Sequence, residues 1–243
     1  MAAIRQLPAL PAGASPEEIL RIGLEAAGGP VALACSFSLE DLVVLDMLVR
    51  LTPDPLVFAL DTGRLPEETY EAAEAARLRY GVTIRWYFPN RDAVERLESE
   101  RGLFSFRNSV EARKECCRIR KVEPLGRALQ GLAGWITGLR REQSVTRSAL
   151  APLEIDHAHG GILKINPLAD WTWTQVEAYA TAHAVPMHKL HRAGYPSIGC
   201  APCTRPVRPG EHPRAGRWWW EDPEHKECGL HVGPTPETGG THA

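Results

Sequence analysis

Val31-Ala-Leu-Ala-Cys-Ser-Phe-Ser-Leu-Glu-Asp41 is the stretch on which the reading of the fold turns. Val31 to Cys35 is a short, unbroken apolar run after the Gly28-Gly-Pro30 turn, which reads as a buried strand. Ser36 to Asp41 is polar. From Glu40 to Leu51 apolar residues return at helical spacing, with Leu42, Leu45 and Leu48 or Val49 on one face. Upstream, Pro16–Ala27 reads as a helix, with Ser15 as N-cap and Pro16 at its first position. Downstream, Pro53-Asp-Pro55 is a breaker and Leu56–Leu60 a second buried strand. Pro66–Tyr80 is a Glu- and Ala-rich helix closed by Gly81, Val82–Tyr87 a third strand and Gly134–Thr137 a fourth. Strands alternating with helices imply an α/β fold, a mostly parallel sheet covered on both faces. Ligands of such sheets sit beyond the carboxyl ends of the strands. The segments to inspect are therefore Ser36–Asp41, Asp61-Thr62-Gly63 and Gly138–Ser144.

A chain of 243 residues fits one large domain with an appended tail. Hydrophobic residues make up 44% and charged residues 24%, which excludes a disordered chain, a collagen or a coiled-coil rod. The 28 Lys and Arg against 30 Asp and Glu leave a net charge of −2, which weighs against a protein that coats nucleic acid. The first residues lack the apolar core of a signal peptide, and no run approaches about 18 apolar residues, so the expectation is a cytoplasmic protein without a membrane span. Six cysteines in that setting read as metal ligands or catalytic thiols rather than as a disulfide framework.

From about Pro186 the texture changes to Pro, Gly, Arg, His and Trp. We read residues 1–185 as an α/β nucleotide-binding domain, 186–231 as an irregular C-terminal segment that carries the cysteine chemistry, and 232–243 as a disordered tail. Two cysteine pairs are prominent: Cys116-Cys117 and Cys200-Ala-Pro-Cys203. Four thiolates can hold a zinc ion or an iron–sulfur cluster. Neighbouring residues on a helix point about 100° apart, which suits the separated irons of a [4Fe–4S] cluster better than one tetrahedral zinc. A zinc site stapling the tail to the body is the alternative. Cys228, in Lys226-Glu-Cys-Gly-Leu-His231, has cationic neighbours that favour a reactive thiolate, against the plainer reading of a bystander thiol. Cys35, ending an apolar strand, reads as buried and inert. The Ser36 and Ser38 hydroxyls and adjoining backbone N–H groups suit a phosphate, or simply cap a helix. Arg140, Arg141 and Arg147 suit bidentate phosphate or sulfate binding, or are solvated surface charge. Trp218-Trp-Trp220 reads as a patch packing the tail onto the body rather than as a base-stacking platform.

Taken together, these motifs resemble the assimilatory adenylyl-sulfate/phosphoadenylyl-sulfate reductases of the adenine-nucleotide PP-loop (Rossmann-like) fold. The resemblance rests on the Ser36–Asp41 loop, Leu60-Asp-Thr-Gly63, Gly138–Ser144, both cysteine pairs and the terminal Lys226–His231 motif, and spans about Val31 to His231. It implies the branch with one [4Fe–4S] cluster on Cys116, Cys117, Cys200 and Cys203, reducing adenosine 5′-phosphosulfate (APS) to sulfite and AMP. The alternatives are a cluster-bearing reductase of the 3′-phosphorylated substrate (PAPS) and one acting on both. The Cys228 thiolate would become S-sulfonated and then be attacked by reduced thioredoxin or glutaredoxin. The resemblance assigns the sulfonate to Lys121, Arg214 and Arg217, counts His231 among the substrate-binding residues, and gives the nucleotide to Ser36, Ser38, Asp61, Thr62, Gly63 and the Arg140 loop with Arg141 and Arg147. It implies no nucleic-acid or membrane partner and allows a homo-oligomer. An ATP-pyrophosphatase of related fold is disfavoured, because the loop reads Ser-Phe-Ser-Leu-Glu-Asp where that group has Ser-Gly-Gly. A zinc-stapled nucleic-acid module is disfavoured by the charge.

Overall fold

A computed structural model describes residues 6–144, 147–222 and 230. The first half follows the alternation in the sequence. Helix α1 (Pro16–Ala27) starts at a reciprocal Ser15–Glu18 capping box and stops at Gly28, whose φ of 61° is left-handed. Strand β1 (Val31–Ala34), helix α2 (Leu39–Leu51), strand β2 (Leu56–Leu60), helix α3 (Glu67–Tyr80) and strand β3 (Ile84–Tyr87) follow. Pro66 caps α3 rather than opening it. Helices α4 (Arg91–Arg101) and α5 (Val110–Cys117) come next, and then α6 (Glu123–Leu129) and strand β4 (Gly134–Ile136). Between α5 and α6 the chain widens into a π-helical turn, Arg118–Val122. The turn ends beside Pro124, which has no N–H with which to continue the ordinary ladder.

Two further strands, β5 (Leu153–Asp156) and β6 (Ile162–Ile165), are not declared by the sequence pattern. Each has only four residues, too short for a periodicity to declare itself. They pair antiparallel, with Leu153 opposite Ile165, so the sheet is parallel except at one edge. Its order is β3-β2-β1-β4-β6-β5. The chain thus builds outward from β1 in one direction and then restarts at β4 on the other side. The crevice beyond the carboxyl ends of β1 and β4 is the switch point at which such sheets bind ligands. Helices α7 (Trp173–Ala182) and α8 (Lys189–Arg192) complete the body.

The sheet is covered on both faces. On one, Leu33, Val57, Ile136 and Ile165 meet α1, α2, α3 and α7, and on the other Ala32, Phe58 and Trp135 meet Leu125, Ala128 and Leu129 of α6. Helix α2 lies deeper than a one-sided pattern suggests, since every residue from Leu39 to Leu48 is buried. That burial includes Asp46, whose carboxylate accepts from Tyr179 Oη at 2.9 Å and from Tyr80 Oη at 3.2 Å and pairs with Arg50. No helix among the described residues is long and apolar enough to cross a membrane.

Candidate active site

A cavity of about 600 Å³ occupies the switch point. Of the residues singled out in the sequence, Ser36, Ser38, Thr62, Lys121, Arg140, Arg147, Arg214 and Arg217 line it. Its wall does not include Asp61, Gly63 or Arg141. Asp61 shapes its own turn, accepting from Gly63 N at 2.7 Å and from Tyr70 Oη. Gly63 turns there with φ 69°. Arg141 pairs with Asp170 and donates to the Leu150 carbonyl at 2.6 Å. Cys228 and His231, like the tail 232–243, lie outside the described residues. Leu230, two positions beyond Cys228, lines the cavity and packs against the Ala32–Phe58–Trp135 face.

The Ser36–Asp41 loop is held together by an acid. Asp41 Oδ2 accepts from both Ser36 N and Ser36 Oγ at 2.6 Å, and Oδ1 accepts from Gly138 N across the crevice at 3.1 Å. The Ser36 donors are therefore engaged within the loop rather than left open to an anion. Burial pushes the Asp41 carboxyl up to about 6, opposed by the bonds from Ser36 and Ser38 and reinforced by the charge of Glu40. Ser38 caps α2. Gly138 has no room for a side chain, because a Cβ would lie 2.4 Å from Asp41 Oδ1. Arg140 is likewise engaged: Nε and Nη2 donate to buried Glu40 at 3.1 Å, and Nη1 donates to Glu142 at 2.8 Å. With Glu40, Asp41 and Glu142 against Arg140 and Arg147 in the wall, this end of the cavity carries no excess of positive charge.

The other end is cationic. Lys121, Arg214 and Arg217 line it, and His212, which no sequence motif marks, lines the cavity as well. Lys121 comes from the π-turn, which places it one turn beyond Cys117. Arg217 is buried, with Nη1 donating to the Ile198 carbonyl at 3.1 Å. Its guanidinium packs against Gly199, where a Cβ would come within 2.3 Å of Nη2. The signal for this was a glycine directly before Cys200, which sequence alone does not distinguish from an ordinary loop glycine.

Beside the cationic end lie the two cysteine pairs. Cys116, Cys117 and Cys200 are buried and Cys203 is partly so, and none of the four is in a disulfide among the described residues. They share one electrostatic environment: the charge of Cys200 acts on Cys116 and Cys203, and that of Cys117 on Cys203. Burial, Cys200 and Cys117 push Cys203 up to about 12. Burial raises Cys200 too, but Lys121, the Thr62 hydroxyl, Arg217 and Arg120 bring it below its ordinary value. Cys200 Sγ donates to Thr62 Oγ1 at 3.3 Å, and Ala201 N donates to the Arg64 carbonyl at 2.8 Å, which seats the C-terminal segment on the loop after β2. Glu98 holds the guanidinium groups of both Arg64 and Arg120 at this seam. Among the described residues no three His, Cys, Asp or Glu side chains are grouped as ligands of one metal ion. Cys35 is buried in the loop wall, and burial and Asp41 push its thiol well above the ordinary value, consistent with an inert residue.

A family model described as the phosphoadenosine phosphosulfate reductase domain matches residues 30–206. The chain belongs to that family. It is 53% identical over 201 residues to a protein of Allochromatium vinosum named adenosine 5′-phosphosulfate reductase, covering 83% of this chain and 78% of that one. It is 52% identical over 202 residues to the protein of the same name from Burkholderia cepacia, covering 83% and 80%. Among solved structures, the phosphoadenylyl-sulfate reductase of Candida auris in its phosphate complex superposes with a TM-score of 0.68 at 30% identity, covering 80% of this chain and 92% of that one. Family and fold agree with the resemblance drawn from the loops and cysteines. The α/β, PP-loop architecture is the shared frame.

Proposed function

We propose that this protein reduces adenosine 5′-phosphosulfate to sulfite and AMP. The observation that carries the reading is a switch-point cavity with one end, at Ser38, Glu40 and Arg140, that carries no excess of positive charge and a cationic end at Lys121, Arg214 and Arg217. The first end suits an uncharged nucleoside. The cationic end suits the phosphosulfate, because a thiolate can approach an anionic sulfonate only where positive charge screens both. The identity to proteins named adenosine 5′-phosphosulfate reductase supports the choice of substrate.

In the step we infer, the Cys228 thiolate attacks the sulfonate sulfur. A sulfur–sulfur bond forms, the sulfur–oxygen bond to the phosphate breaks, and AMP leaves with the bonding pair. A thiolate of reduced thioredoxin, or of a glutaredoxin, then attacks Cys228 Sγ, and sulfite departs with the electron pair. The second thiol of that partner closes its own disulfide and returns Cys228 as thiolate. Two electrons pass from dithiol to sulfur. The role of this chain is to bind the dianionic end, hold Lys121 and Arg217 over the leaving phosphate and sulfonate, and keep water out with the apolar wall that includes Leu230.

Cys116, Cys117, Cys200 and Cys203 fit a [4Fe–4S] cluster. None of the four is in a disulfide among the described residues, the charge of Cys200 acts on Cys116 and Cys203 and that of Cys117 on Cys203, and the cations Lys121, Arg217 and Arg120 act on Cys200. Such a cluster would supply fixed charge beside Lys121 rather than an electron relay, since the electrons arrive as a thiol pair. We place the reaction in the cytoplasm, where reduced thioredoxin is available.

The test is sulfite release by anaerobically purified protein with thioredoxin, thioredoxin reductase and NADPH, fed APS or PAPS. A brown protein that turns over APS far faster than PAPS is expected. Equal rates would overturn the choice of substrate alone. A colourless protein inactive on both would overturn the reading.

A further inference from the structure

At the cationic end, Arg217 is held from two sides. Gly199 forms one. The other is Trp218, whose ring centroid lies 4.7 Å from the Arg217 guanidinium carbon. Trp218 is 1% exposed, and its φ of 41° is left-handed, a conformation that a bulky residue adopts only where its surroundings impose it. Its indole Nε1 is buried without a partner, so no hydrogen bond of that ring imposes the conformation.

Against the other side of Trp218 lies a buried ion pair, whose arginine also hydrogen-bonds the Cys117 side chain. Arg113, on α5 one turn before Cys117, is fully buried, and its guanidinium carbon lies 4.6 Å from the Trp218 ring centroid. Arg113 Nε donates to both oxygens of Glu221, at 2.7 and 3.0 Å, and the Glu221 side chain is only 4% exposed. Glu221 N in turn donates to the Trp218 carbonyl at 2.9 Å. Trp218 is thus enclosed by a ring of contacts that starts on the helix bearing the first cysteine pair and ends at Arg217. Taking two charges out of water is expensive, and such pairs seldom stabilise a fold more than apolar residues of the same volume would.

We propose that Arg113 and Glu221 are a positioning pair for Arg217, acting through Trp218. The pair fixes the plane of the indole, and the indole fixes the guanidinium over the anionic end of the substrate. This rests on the assignment of the cationic end to the phosphosulfate.

The experiment measures binding rather than turnover, on anaerobic, cluster-loaded protein carrying Cys228→Ser so that APS is not consumed. Titration calorimetry compares APS with AMP, which shares the nucleoside and lacks the sulfonate. Glu221→Gln is expected to weaken APS about tenfold or more while AMP changes by less than about twofold. Because breaking one half of a buried pair can unseat the segment, the double variant Arg113→Met, Glu221→Leu keeps an apolar contact there, and the same selective loss is expected. Arg113→Lys keeps the charge opposite Glu221 but not the flat face against Trp218, and should also lose APS selectively. Arg217→Ala sets the scale. If it loses APS selectively while the pair variants leave APS untouched, or weaken APS and AMP in step, the positioning role is wrong. If Arg217→Ala itself shows no selective loss, the assignment of the cationic end fails, and the role of the pair falls with it.

Discussion

Gly199→Ala should separate activity from stability. A Cβ at this position would lie 2.3 Å from Arg217 Nη2, 2.5 Å from Cζ and 3.0 Å from Nε, whereas ordinary contact begins at 3.4 Å. Nη2 must therefore retreat by about 1.1 Å, the difference between 2.3 and 3.4 Å. The obstructing atoms are the end of a side chain and can yield. The retreat forfeits the Arg217 bond to the Ile198 carbonyl, worth about 1 kcal/mol. For a chain of this size that is roughly 2–4 °C in Tm. The kinetic cost is larger, because a displacement of about 1 Å in a group that stabilises the transition state can cost about 100-fold, or about 2.7 kcal/mol of barrier. The assay is sulfite release with saturating reduced thioredoxin, giving kcat/KM for APS beside a thermal melt of the same sample. Wild-type kcat/KM in Gly199→Ala would refute the reasoning, and so would a loss accompanied by a Tm drop of more than about 8 °C, which would mark a general unfolding of the segment.

Three further outcomes follow from the geometry. Gly138→Ala meets backbone as well as side chain, with Asp41 N at 2.9 Å and the Glu40 carbonyl carbon at 3.0 Å; the two loops must part, costing about 1–3 kcal/mol and roughly 2–12 °C in Tm. Asp41 holds its proton more tightly folded than unfolded, from 3.8 up to about 6. Its contribution to stability is therefore fully present below pH 3.8 and lost as the pH rises through about 6. Urea melts should show wild type losing about 3 kcal/mol relative to Asp41→Asn across that window, and parallel curves would count against the raised carboxyl. Lys121→Ala should lower turnover and also shift the visible absorption of the protein, because Lys121 lines the cavity and its charge acts on Cys200. Lower turnover with an unchanged spectrum would mean that the lysine serves the substrate alone.

The alternation of Val31–Cys35, Leu56–Leu60 and Gly134–Thr137 with amphipathic segments was enough to set the parallel sheet and the loops that face a ligand. These are properties of local pattern, written in side-chain period and in turn residues. The tandem and spaced cysteine pairs were legible for the same reason: their chemistry is carried by residue type and spacing. The Trp218–Trp220 run was readable as a packing element, and Trp218 and Trp220 do pack inward while Trp219 stays partly exposed. Other features were out of reach. Nothing local to Ser36 says that Asp41 will claim its hydroxyl and backbone N–H, or that Arg140 will be spent on Glu40, because a carboxylate five or a hundred positions away competes for the same donors only once the chain has folded. The switch point needed the strand order, with β4 beside β1 on the side away from β2, a pairing between strands about a hundred residues apart that local pattern does not declare. Arg113 and Glu221 lie 108 residues apart and look like two surface charges until burial removes their water. Composition and spacing therefore determined which chemistry this protein can hold. The tertiary structure decided which of its many arginines are spent inside the fold and which face the substrate, because the partners of a buried charge are chosen by three-dimensional neighbours and not by neighbours in sequence.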